Sequence, residues 1–300
     1  MMAVQNRGFS PRGELRFDEP MSRHTSWRAG GPADQFFLPA DKFDVIEFLR
    51  HIDPSTPVTW VGLGSNLLVR DGGVRGVVIA TNKCLKSIKS VASNRIYIES
   101  GVTGARIARY SASKGLAGAE FFAGIPGTFG GALAMNAGAF GDETWNVVSR
   151  VEIIDAFGRI RPRSPMEFSI GYRSVSLPQG EWFLSGEILL QPGDGEQSRW
   201  KIRRLLSLRS STQPIQAPSA GSVFRNPPDD HAARLIEVTG LKGAYRGGAA
   251  VSEVHANFIV NRGDATAADI ESLILHIQQS VSRAHGIALE CEVRIIGDAR

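Results

Sequence analysis

The sequence is poor in the residues that build metal sites and disulfide frameworks. It contains only two cysteines, Cys84 and Cys291, in 300 residues. Cysteines this far apart suggest neither a disulfide scaffold nor a metal pattern. The six histidines show no H-x-x-x-H or H-E-x-x-H spacing, so we expect no metal. No apolar run approaches the length of a transmembrane helix, and residues 1–13 lack the apolar core of a signal peptide. These absences predict a cytoplasmic protein without a membrane partner.

The sequence also lacks any concentrated block of charge. The net charge is +4, and the basic residues are spread along the chain. A nucleic-acid-binding protein would gather them in a stripe, so we expect no nucleic-acid partner. Mild basicity suits a small anionic substrate equally well. A hydrophobic fraction of 42% describes an ordinary globular protein, and 300 residues can hold two or three domains.

Glycine, by contrast, is concentrated between Gly124 and Gly141, in the uncharged stretch G-I-P-G-T-F-G-G-A-L-A-M-N-A-G-A-F-G. A flexible surface linker would carry polar residues. Closely spaced glycines instead let backbone N–H groups surround anionic oxygens. The stretch lacks the Gly-Lys-Ser/Thr ending of a Walker loop and the G-x-G-x-x-G spacing of a Rossmann turn. It therefore predicts a pyrophosphate cradle in a flavin fold outside the Rossmann class. Tight packing without a ligand is the alternative.

A second glycine-containing turn follows a predicted strand. V-T-W-V at 58–61 runs into G-L-G-S-N-L-L-V at 62–69. N–H and hydroxyl donors at a strand end suit a phosphate or ribose, and a plain tight turn is the alternative. The predicted cofactor contacts in the two stretches are Gly62, Gly64, Ser65, Asn66, Leu67, Gly124, Ile125, Pro126, Gly127, Thr128, Gly130, Gly131, Asn136 and Gly138.

Hydrophobic periodicity predicts four parts of the chain. Residues 1–20 show no periodicity and are expected to form a mobile arm. Residues 21–85 and 86–208 alternate strand and helix patterns and are expected to form two lobes, with a third domain at 209–300. Helices are predicted after Asp41, after Thr103, at 200–208, at 231–239 and after Thr266, and strands at 36–38, 58–61, 76–80, 95–100, 151–155, 183–190 and 287–296.

Five motifs occur in the order of one known family. They are G-L-G-S-N-L-L-V at 62–69, G-I-P-G-T-F-G-G-A-L-A-M-N-A-G at 124–138, G-Y-R-S at 171–174, G-S-V-F-R-N-P at 221–227 and E-V-R at 292–294. Together they resemble the UDP-N-acetylenolpyruvoylglucosamine reductases of bacterial peptidoglycan synthesis. The short segment Y-R-S-V-S-L-P resembles the shorter subtype of that family. The resemblance implies an α+β fold: a two-lobe FAD-binding domain of the vanillyl-alcohol-oxidase (PCMH) type and a C-terminal α+β substrate-binding domain.

The resemblance also implies a reaction and the residues that perform it. The reaction is NADPH-dependent reduction of UDP-N-acetylglucosamine enolpyruvate to UDP-N-acetylmuramate, by hydride transfer through noncovalent FAD. An enolate-like charge then needs stabilisation and a proton. Arg173 matches the residue that stabilises this charge, Ser222 the proton donor and Glu292 the carboxylate on the far side of the enolate. The implied substrate contacts are Tyr172, Arg209, Arg225, Asn226, Lys242 and His255.

Two other functions remain open from the sequence. An oxidase of the same fold would use O₂, and many such oxidases hold flavin covalently through His or Cys. Neither residue stands in the two glycine stretches. A non-catalytic nucleotide-sugar-binding module would be colourless. Taken singly, Ser222 is typical of a turn hydroxyl and Glu292 of the solvent face of an edge strand. The functional assignment of these residues therefore depends on the match of the five motifs in order. We also expect the protein to be a monomer.

Overall fold

The computed structural model describes residues 9–300, in which strands and helices are mixed along the chain. The strands are β1 (Glu14–Pro20), β2 (Pro32–Leu38), β3 (Val58–Val61), β4 (Leu67–Val69), β5 (Val74–Ala80), β6 (Ile88–Ala92), β7 (Arg95–Glu99), β8 (Leu116–Ala117), β9 (Gly138–Ala139), β10 (Asp142–Glu143), β11 (Val148–Asp155), β12 (Ile160–Arg163), β13 (Ile170–Gly171), β14 (Ser174–Val175), β15 (Glu181–Leu189), β16 (Gln191–Pro192), β17 (Tyr245–Arg246), β18 (Ala249–Val251), β19 (Ile259–Asn261) and β20 (Arg294–Ile296). The helices are α1 (Lys42–His51), α2 (Gly104–Ser113), α3 (Phe129–Met135), α4 (Gly195–Thr212), α5 (Ala232–Val238) and α6 (Ala267–His285). In this described part, no helix combines the length and the apolar character that crossing a bilayer requires.

The chain divides into two compact units. The first comprises the described part of Met1–Phe17 together with Gln35–Gly62 and Gly76–Ser207, and the second comprises Asp18–Asp34, Leu63–Arg75 and Leu208–Arg300. The predicted start of the third domain at residue 209 therefore lies beside a unit boundary. The finer division of residues 21–208 into two lobes stays a prediction.

The first unit is built around an antiparallel sheet of order β12-β11-β15-β7-β6. In β7, Ile96 and Ile98 are fully buried while the residues between and around them are not, as the alternation in the sequence predicts. Helices α2 and α3 supply further buried apolar residues, among them Phe129 and Leu133. A four-stranded sheet of order β1-β2-β5-β3 contains a parallel pair, in which Val58 of β3 lies opposite Val77 of β5.

The second unit packs α5 and α6 with the three-stranded sheet β17-β18-β19. Thr266 and Asp269 form the predicted capping box at the start of α6, which satisfies two backbone N–H groups that a helix start leaves unpaired. The helix ends at Gly286, whose φ of 70° favours glycine. A parallel pair of short strands, β4 and β20, places Leu67 opposite Arg294.

Two predicted segments differ from the structure. Of the residues expected to form a mobile arm, 1–8 lie outside the described part, and Glu14–Pro20 form β1 beside β2. The predicted strand at 287–296 is regular only over Arg294–Ile296. The preceding residues make isolated backbone contacts, such as the bridge between Phe224 and Cys291, because they have no continuous partner strand within residues 9–300.

A buried carboxylate at the start of α1 gives the first testable prediction. Asp44 is 2% exposed and accepts hydrogen bonds from the backbone N–H groups of Arg12, Gly13 and Ala40, at 2.9, 2.8 and 2.9 Å. Asp44→Ala leaves these donors unpaired, so we expect the free energy of unfolding to fall by about 3 kcal/mol, as measured by urea denaturation. Asp41→Ala removes the α1 N-cap bond to Asp44 N and an exposed ion pair with Arg12, and should cost about 1 kcal/mol, because exposed ion pairs contribute little. Equal losses in the two variants would contradict this account.

Candidate active site

The glycine stretch of the first unit forms a tight loop that leads into α3. Its backbone is fixed by hydrogen bonds from Phe129 N to Val102 O and from Gly130 N to Ser100 O, both at 2.8 Å. A Cβ on Gly130 would lie 2.7 Å from Ser100 Cβ. Glycine is therefore required at this position by the packing of the chain itself.

Gly131 shows a different environment and provides a test of whether the loop fits a ligand. It is exposed, and a Cβ built on it would meet only Thr128 Oγ1, at 3.9 Å. The protein itself therefore does not require glycine at this position, which leaves room for the close approach of a cofactor. Beside the loop, Ser100 Oγ is buried without a hydrogen-bond partner among the described residues. Both observations fit a loop that receives a ligand with polar oxygens.

Gly62, the first residue of the 62–69 turn, contacts this loop within the first unit. A Cβ on Gly62 would lie 2.3 Å from Thr128 Oγ1. Two segments of small residues, far apart in sequence, therefore meet at Gly62 and Thr128. This proximity agrees with the prediction that both belong to one cofactor site, and the individual contacts stay predictions.

Asn136 ends α3 in the left-handed conformation, with φ 47° and ψ 53°. Its side-chain amide donates to Glu143 Oε2 at 2.6 Å and to Gly171 O at 3.2 Å, and its Oδ1 accepts from Trp145 N at 3.1 Å. The predicted cofactor contact at Asn136 therefore competes with bonds that hold the loop in place. The contact stays a prediction, whereas the structural role is visible.

Arg173 lies in the hairpin that joins β13 to β14, and its guanidinium is held at the end of the glycine stretch. Its Nη2 donates to Gly138 O at 2.9 Å and its Nη1 to Asn136 O at 3.4 Å. The Arg173 backbone has φ 52°, a conformation that costs a non-glycine residue about 1 kcal/mol or more and recurs at functional sites. The structure thus brings a predicted catalytic cation to the predicted cofactor loop.

In the second unit, the turn Gly64–Leu67 is tied to the segment that carries Glu292. Asn66 Nδ2 donates to Glu292 O at 3.0 Å, and Arg294 N donates to Asn66 O at 3.0 Å. Gly64 has φ 62°, and a Cβ there would lie 2.0 Å from His24 O. This glycine is therefore required by packing.

Ser222 and Glu292, predicted as proton donor and carboxylate, lie on neighbouring segments. Glu292 N donates to Val223 O at 2.8 Å, so the residue next to Ser222 pairs directly with Glu292. Both Ser222 and Glu292 are half-buried. The structure therefore brings together two residues that are 70 positions apart in the sequence, and their chemical roles stay predictions.

The predicted substrate contacts are mostly engaged with other groups of the chain. Lys242 Nζ donates to Glu237 Oε1 at 2.7 Å, and Asn226 Oδ1 accepts from Ala232 N at 3.1 Å. Arg209 Nε donates to Gln213 Oε1 at 3.0 Å, and burial lowers the pKa of this guanidinium. Arg225 lies 3.8 Å from Glu290. Tyr172 is exposed, with the Arg173 guanidinium 5.3 Å from its ring centre.

His255 is half-buried against Phe258, with ring centres 4.7 Å apart. Burial lowers its pKa below the ordinary value, so the neutral imidazole is favoured at neutral pH. Its Nδ1 lies 3.3 Å from the N–H of Asn257 and accepts that proton, which leaves Nε2 as the N–H donor of the neutral ring. His255 is therefore suited to donate a hydrogen bond to an anionic or carbonyl oxygen.

The two cysteines are not suited to act as nucleophiles or metal ligands. Burial raises the pKa of Cys84 to about 12 and also raises that of Cys291, so both thiols stay protonated near neutrality. Among residues 9–300, no cluster of three or more His, Cys, Asp or Glu side chains is arranged to hold a metal ion.

These features define a flavin-binding oxidoreductase, and comparison with known proteins agrees. Residues 33–162 match the model of a family described as an FAD binding domain. Residues 213–296 match the C-terminal domain of UDP-N-acetylenolpyruvoylglucosamine reductase.

Whole-chain relatives give the particular family. The chain is 56% identical to the UDP-N-acetylenolpyruvoylglucosamine reductase of Alkalilimnicola ehrlichii over 100% of both chains, and 55% identical to that of Methylococcus capsulatus over 96% and 95%. The crystal structure of the enzyme of that name from Thermus caldophilus matches with a TM-score of 0.81 at 30% identity, covering 95% and 98% of the two chains. The chain belongs to the UDP-N-acetylenolpyruvoylglucosamine reductase family. The predicted α+β fold, with a vanillyl-alcohol-oxidase-type FAD-binding domain and a C-terminal substrate-binding domain, is confirmed.

Proposed function

We propose that the chain is an NADPH-dependent flavoenzyme that reduces UDP-N-acetylglucosamine enolpyruvate to UDP-N-acetylmuramate, a precursor of peptidoglycan. The observation that carries this proposal most directly is the position of Arg173. Its guanidinium is fixed by the carbonyl groups of Asn136 and Gly138 at the end of the glycine stretch. A fixed cation beside a flavin-binding loop suits a reaction that develops negative charge next to a carboxylate.

The glycine stretch and Gly62 are the groups of the first unit that would hold the FAD pyrophosphate. The missing side chain of Gly131 permits close approach, and backbone N–H groups are the donors that such loops offer to phosphate oxygens. The N–H groups of Phe129 and Gly130 already bond to Val102 O and Ser100 O. FAD, when bound, supplies hydride transfer between NADPH and the enolpyruvyl group. In the second unit, Gly64, Ser65, Asn66 and Leu67 are proposed as further contacts.

Arg173 is proposed to bind the substrate carboxylate and to stabilise the enolate-like charge. The guanidinium group is planar, stays charged and presents paired donors that match a carboxylate. The two carbonyl bonds of Arg173 use part of this donor set and fix the plane of the fork. The orientation is therefore set before the substrate binds, so little reorganisation is needed as charge develops.

Ser222 is proposed to donate its Oγ proton to the carbon next to the carboxylate. A hydroxyl group is a weak acid, so the alkoxide that it leaves must be stabilised by a nearby cation. Arg225 is the basic residue of the same segment. Glu292, whose backbone pairs with Val223, is proposed as the carboxylate on the opposite side of the enolate.

The remaining predicted contacts are proposed to bind the nucleotide sugar. The cationic side chains of Arg209, Arg225 and Lys242 suit the diphosphate, because positive charge raises the affinity for a dianionic linker. Tyr172, Asn226 and His255 offer neutral hydrogen-bonding groups for the sugar and base. We further propose that the enzyme is a cytoplasmic monomer. Size-exclusion chromatography of the purified protein with light scattering should then report a mass near 32.4 kDa.

The rate of NADPH oxidation in air tests this function against its alternatives. We expect rapid oxidation only when UDP-N-acetylglucosamine enolpyruvate is present, because the second half of the reaction needs an acceptor that Ser222 can protonate. Equally fast turnover with O₂ alone would favour an oxidase.

Acid precipitation of the yellow protein should release FAD into the supernatant, since no covalent attachment is expected. A colourless purified protein would favour a binding module.

A further inference from the structure

We infer that Asn257 is a positioning residue for Ser222: its buried side-chain amide fixes the backbone of residues 223–224 and thereby the place of the proposed proton donor. Asn257 was not among the residues singled out from the sequence. The inference deepens the proposed function and rests on the role of Ser222 given there. All the residues involved belong to the second unit.

A single side chain satisfies both backbone groups of Phe224. Phe224 N donates to Asn257 Oδ1 at 3.0 Å, and Asn257 Nδ2 donates to Phe224 O at 2.8 Å. The Asn257 backbone adds a third bond, from Val223 N to Asn257 O at 2.9 Å. Asn257 is 4% exposed, and Phe224 is 1% exposed. Water therefore has little access to replace these bonds.

The opposite side of the same segment is fixed by the chain that carries Glu292. Glu292 N donates to Val223 O at 2.8 Å, and Arg225 N donates to Glu290 O at 2.9 Å. Val223 and Phe224 are thus held from both sides. On the other side of Ser222, Gly221 has φ 76°, and Ala220 is 3% exposed in the core of the second unit. The place of Ser222 therefore depends on the buried Ala220 before it and on the clamp at Val223 and Phe224 after it.

An amide of this length performs the double contact at any pH. An ionised carboxylate accepts from Phe224 N but has no proton for Phe224 O, and a methyl group does neither. A buried backbone group that loses its partner costs free energy, and the segment moves to recover one. A shift of about 1 Å at a reacting group is enough to lower a rate on the order of 10²-fold.

A nearby asparagine serves as a matched control. Asn261 is 6% exposed. Its Nδ2 donates to Trp27 O at 2.8 Å, and its Oδ1 accepts from Gly263 N and Ala265 N at 2.8 and 3.0 Å. None of these side-chain bonds involves residues 222–225. Asn261→Ala should therefore lower stability as Asn257→Ala does, without displacing Ser222.

The experiment compares the two alanine variants at a temperature where both are folded. Amide hydrogen exchange, followed by mass spectrometry on protein prepared without substrate, should be faster in a peptide covering 222–225 in Asn257→Ala and unchanged there in Asn261→Ala. In stopped-flow measurements, Asn257→Ala should slow reoxidation of the NADPH-reduced enzyme by the enolpyruvyl substrate on the order of 10²-fold, with flavin reduction by NADPH spared. Asn261→Ala should spare both.

A double variant separates the inference from the proposed function. If Asn257 acts through Ser222, Ser222→Ala/Asn257→Ala should be no slower in substrate reduction than Ser222→Ala alone. The positioning role would be overturned if the rate loss of the double variant equalled the product of the two single losses. It would also be overturned if Asn257→Ala reduced the substrate no more slowly than Asn261→Ala. If Ser222→Ala itself spares substrate reduction, the role proposed for Ser222 fails, and with it the claim that Asn257 positions a proton donor. Faster exchange at 222–225 would then support only the clamp.

The Asn257→Asp variant adds a pH signature. Burial raises the pKa of a carboxyl group at this position, and the protonated form both accepts from Phe224 N and donates to Phe224 O. We expect substrate reduction in this variant to recover, relative to the unsubstituted enzyme, as the pH falls through the pKa of the new carboxyl group. If the rate of substrate reduction in Asn257→Asp, divided by the rate in the unsubstituted enzyme, does not change with pH, the double contact is contradicted.

Discussion

The Ser222→Ala variant is expected to be reduced by NADPH at the normal rate and to reduce the enolpyruvyl substrate about 10²–10⁴-fold more slowly. Hydride transfer from NADPH to FAD needs no proton donor directed at the substrate carbon. Reduction of the substrate does, because it leaves an enolate-like charge that must be quenched. The substitution removes one oxygen from a half-buried segment, so the fold and FAD binding should persist.

Stopped-flow absorbance of the flavin follows the two halves of this reaction separately. Glu292→Gln should show the same asymmetry, since its backbone pairing with Val223 is retained while the carboxylate is lost. Ser113→Ala, which removes an exposed hydroxyl at the end of α2, is the control and should leave both rates unchanged. Slower reduction of FAD together with normal reduction of substrate would show that Ser222 has a different role.

The Gly131→Val variant is expected to fold and to contain no FAD. Outside its own helix backbone, the built Cβ of residue 131 meets no atom of the described residues closer than 3.9 Å, so we expect the apoprotein to accommodate the larger side chain. The same side chain would occupy space that we propose for the cofactor. We expect the purified variant to be colourless, with its free energy of unfolding within about 1 kcal/mol of the value for the flavin-free parent protein.

Three further variants serve as comparisons for Gly131→Val. Gly171→Val changes another exposed glycine with no atom within 4 Å of its Cβ position, outside the predicted FAD contacts, and should keep its FAD. Gly130→Val should lose stability as well as FAD, because its Cβ would lie 2.7 Å from Ser100 Cβ. Gly127→Val, at a φ of 156°, should also lose FAD. Full occupancy in Gly131→Val and Gly127→Val would show that the cofactor loop lies elsewhere.

Local sequence signals predicted those elements whose ends are determined by neighbouring residues. The N-cap at Asp41 accepts from Asp44 N at 3.0 Å, and the capping box of Thr266 and Asp269 begins α6 as expected. Strand β3 covers the predicted residues 58–61. The irregular chain before Arg294 was mistaken for a strand, because its apolar alternation is real but the backbone partners that define a strand come from distant segments.

In the candidate site, too, features that depend on neighbouring residues were predicted from the sequence, whereas contacts between residues far apart in the sequence were not. The glycine stretch was visible in the sequence because one local property, its high content of glycine and alanine, is typical of a loop that approaches a ligand closely. Asn257 was not visible, since its partner Phe224 lies 33 positions away and nothing in H-A-N-F indicates which backbone the amide meets. Likewise, only the structure shows that the Asn136 amide bonds to Glu143 and Gly171.

The proposed enzyme passes reducing equivalents from NADPH to an enolpyruvyl ether. The most direct test is an anaerobic incubation of the purified protein with NADPH and UDP-N-acetylglucosamine enolpyruvate, with the product analysed by mass spectrometry and NADPH followed by absorbance. We expect one UDP-N-acetylmuramate to form for each NADPH consumed. Without the substrate, we expect no NADPH consumption beyond a single reduction of the flavin. An unchanged enolpyruvyl ether after NADPH has reduced the flavin would contradict the proposed function.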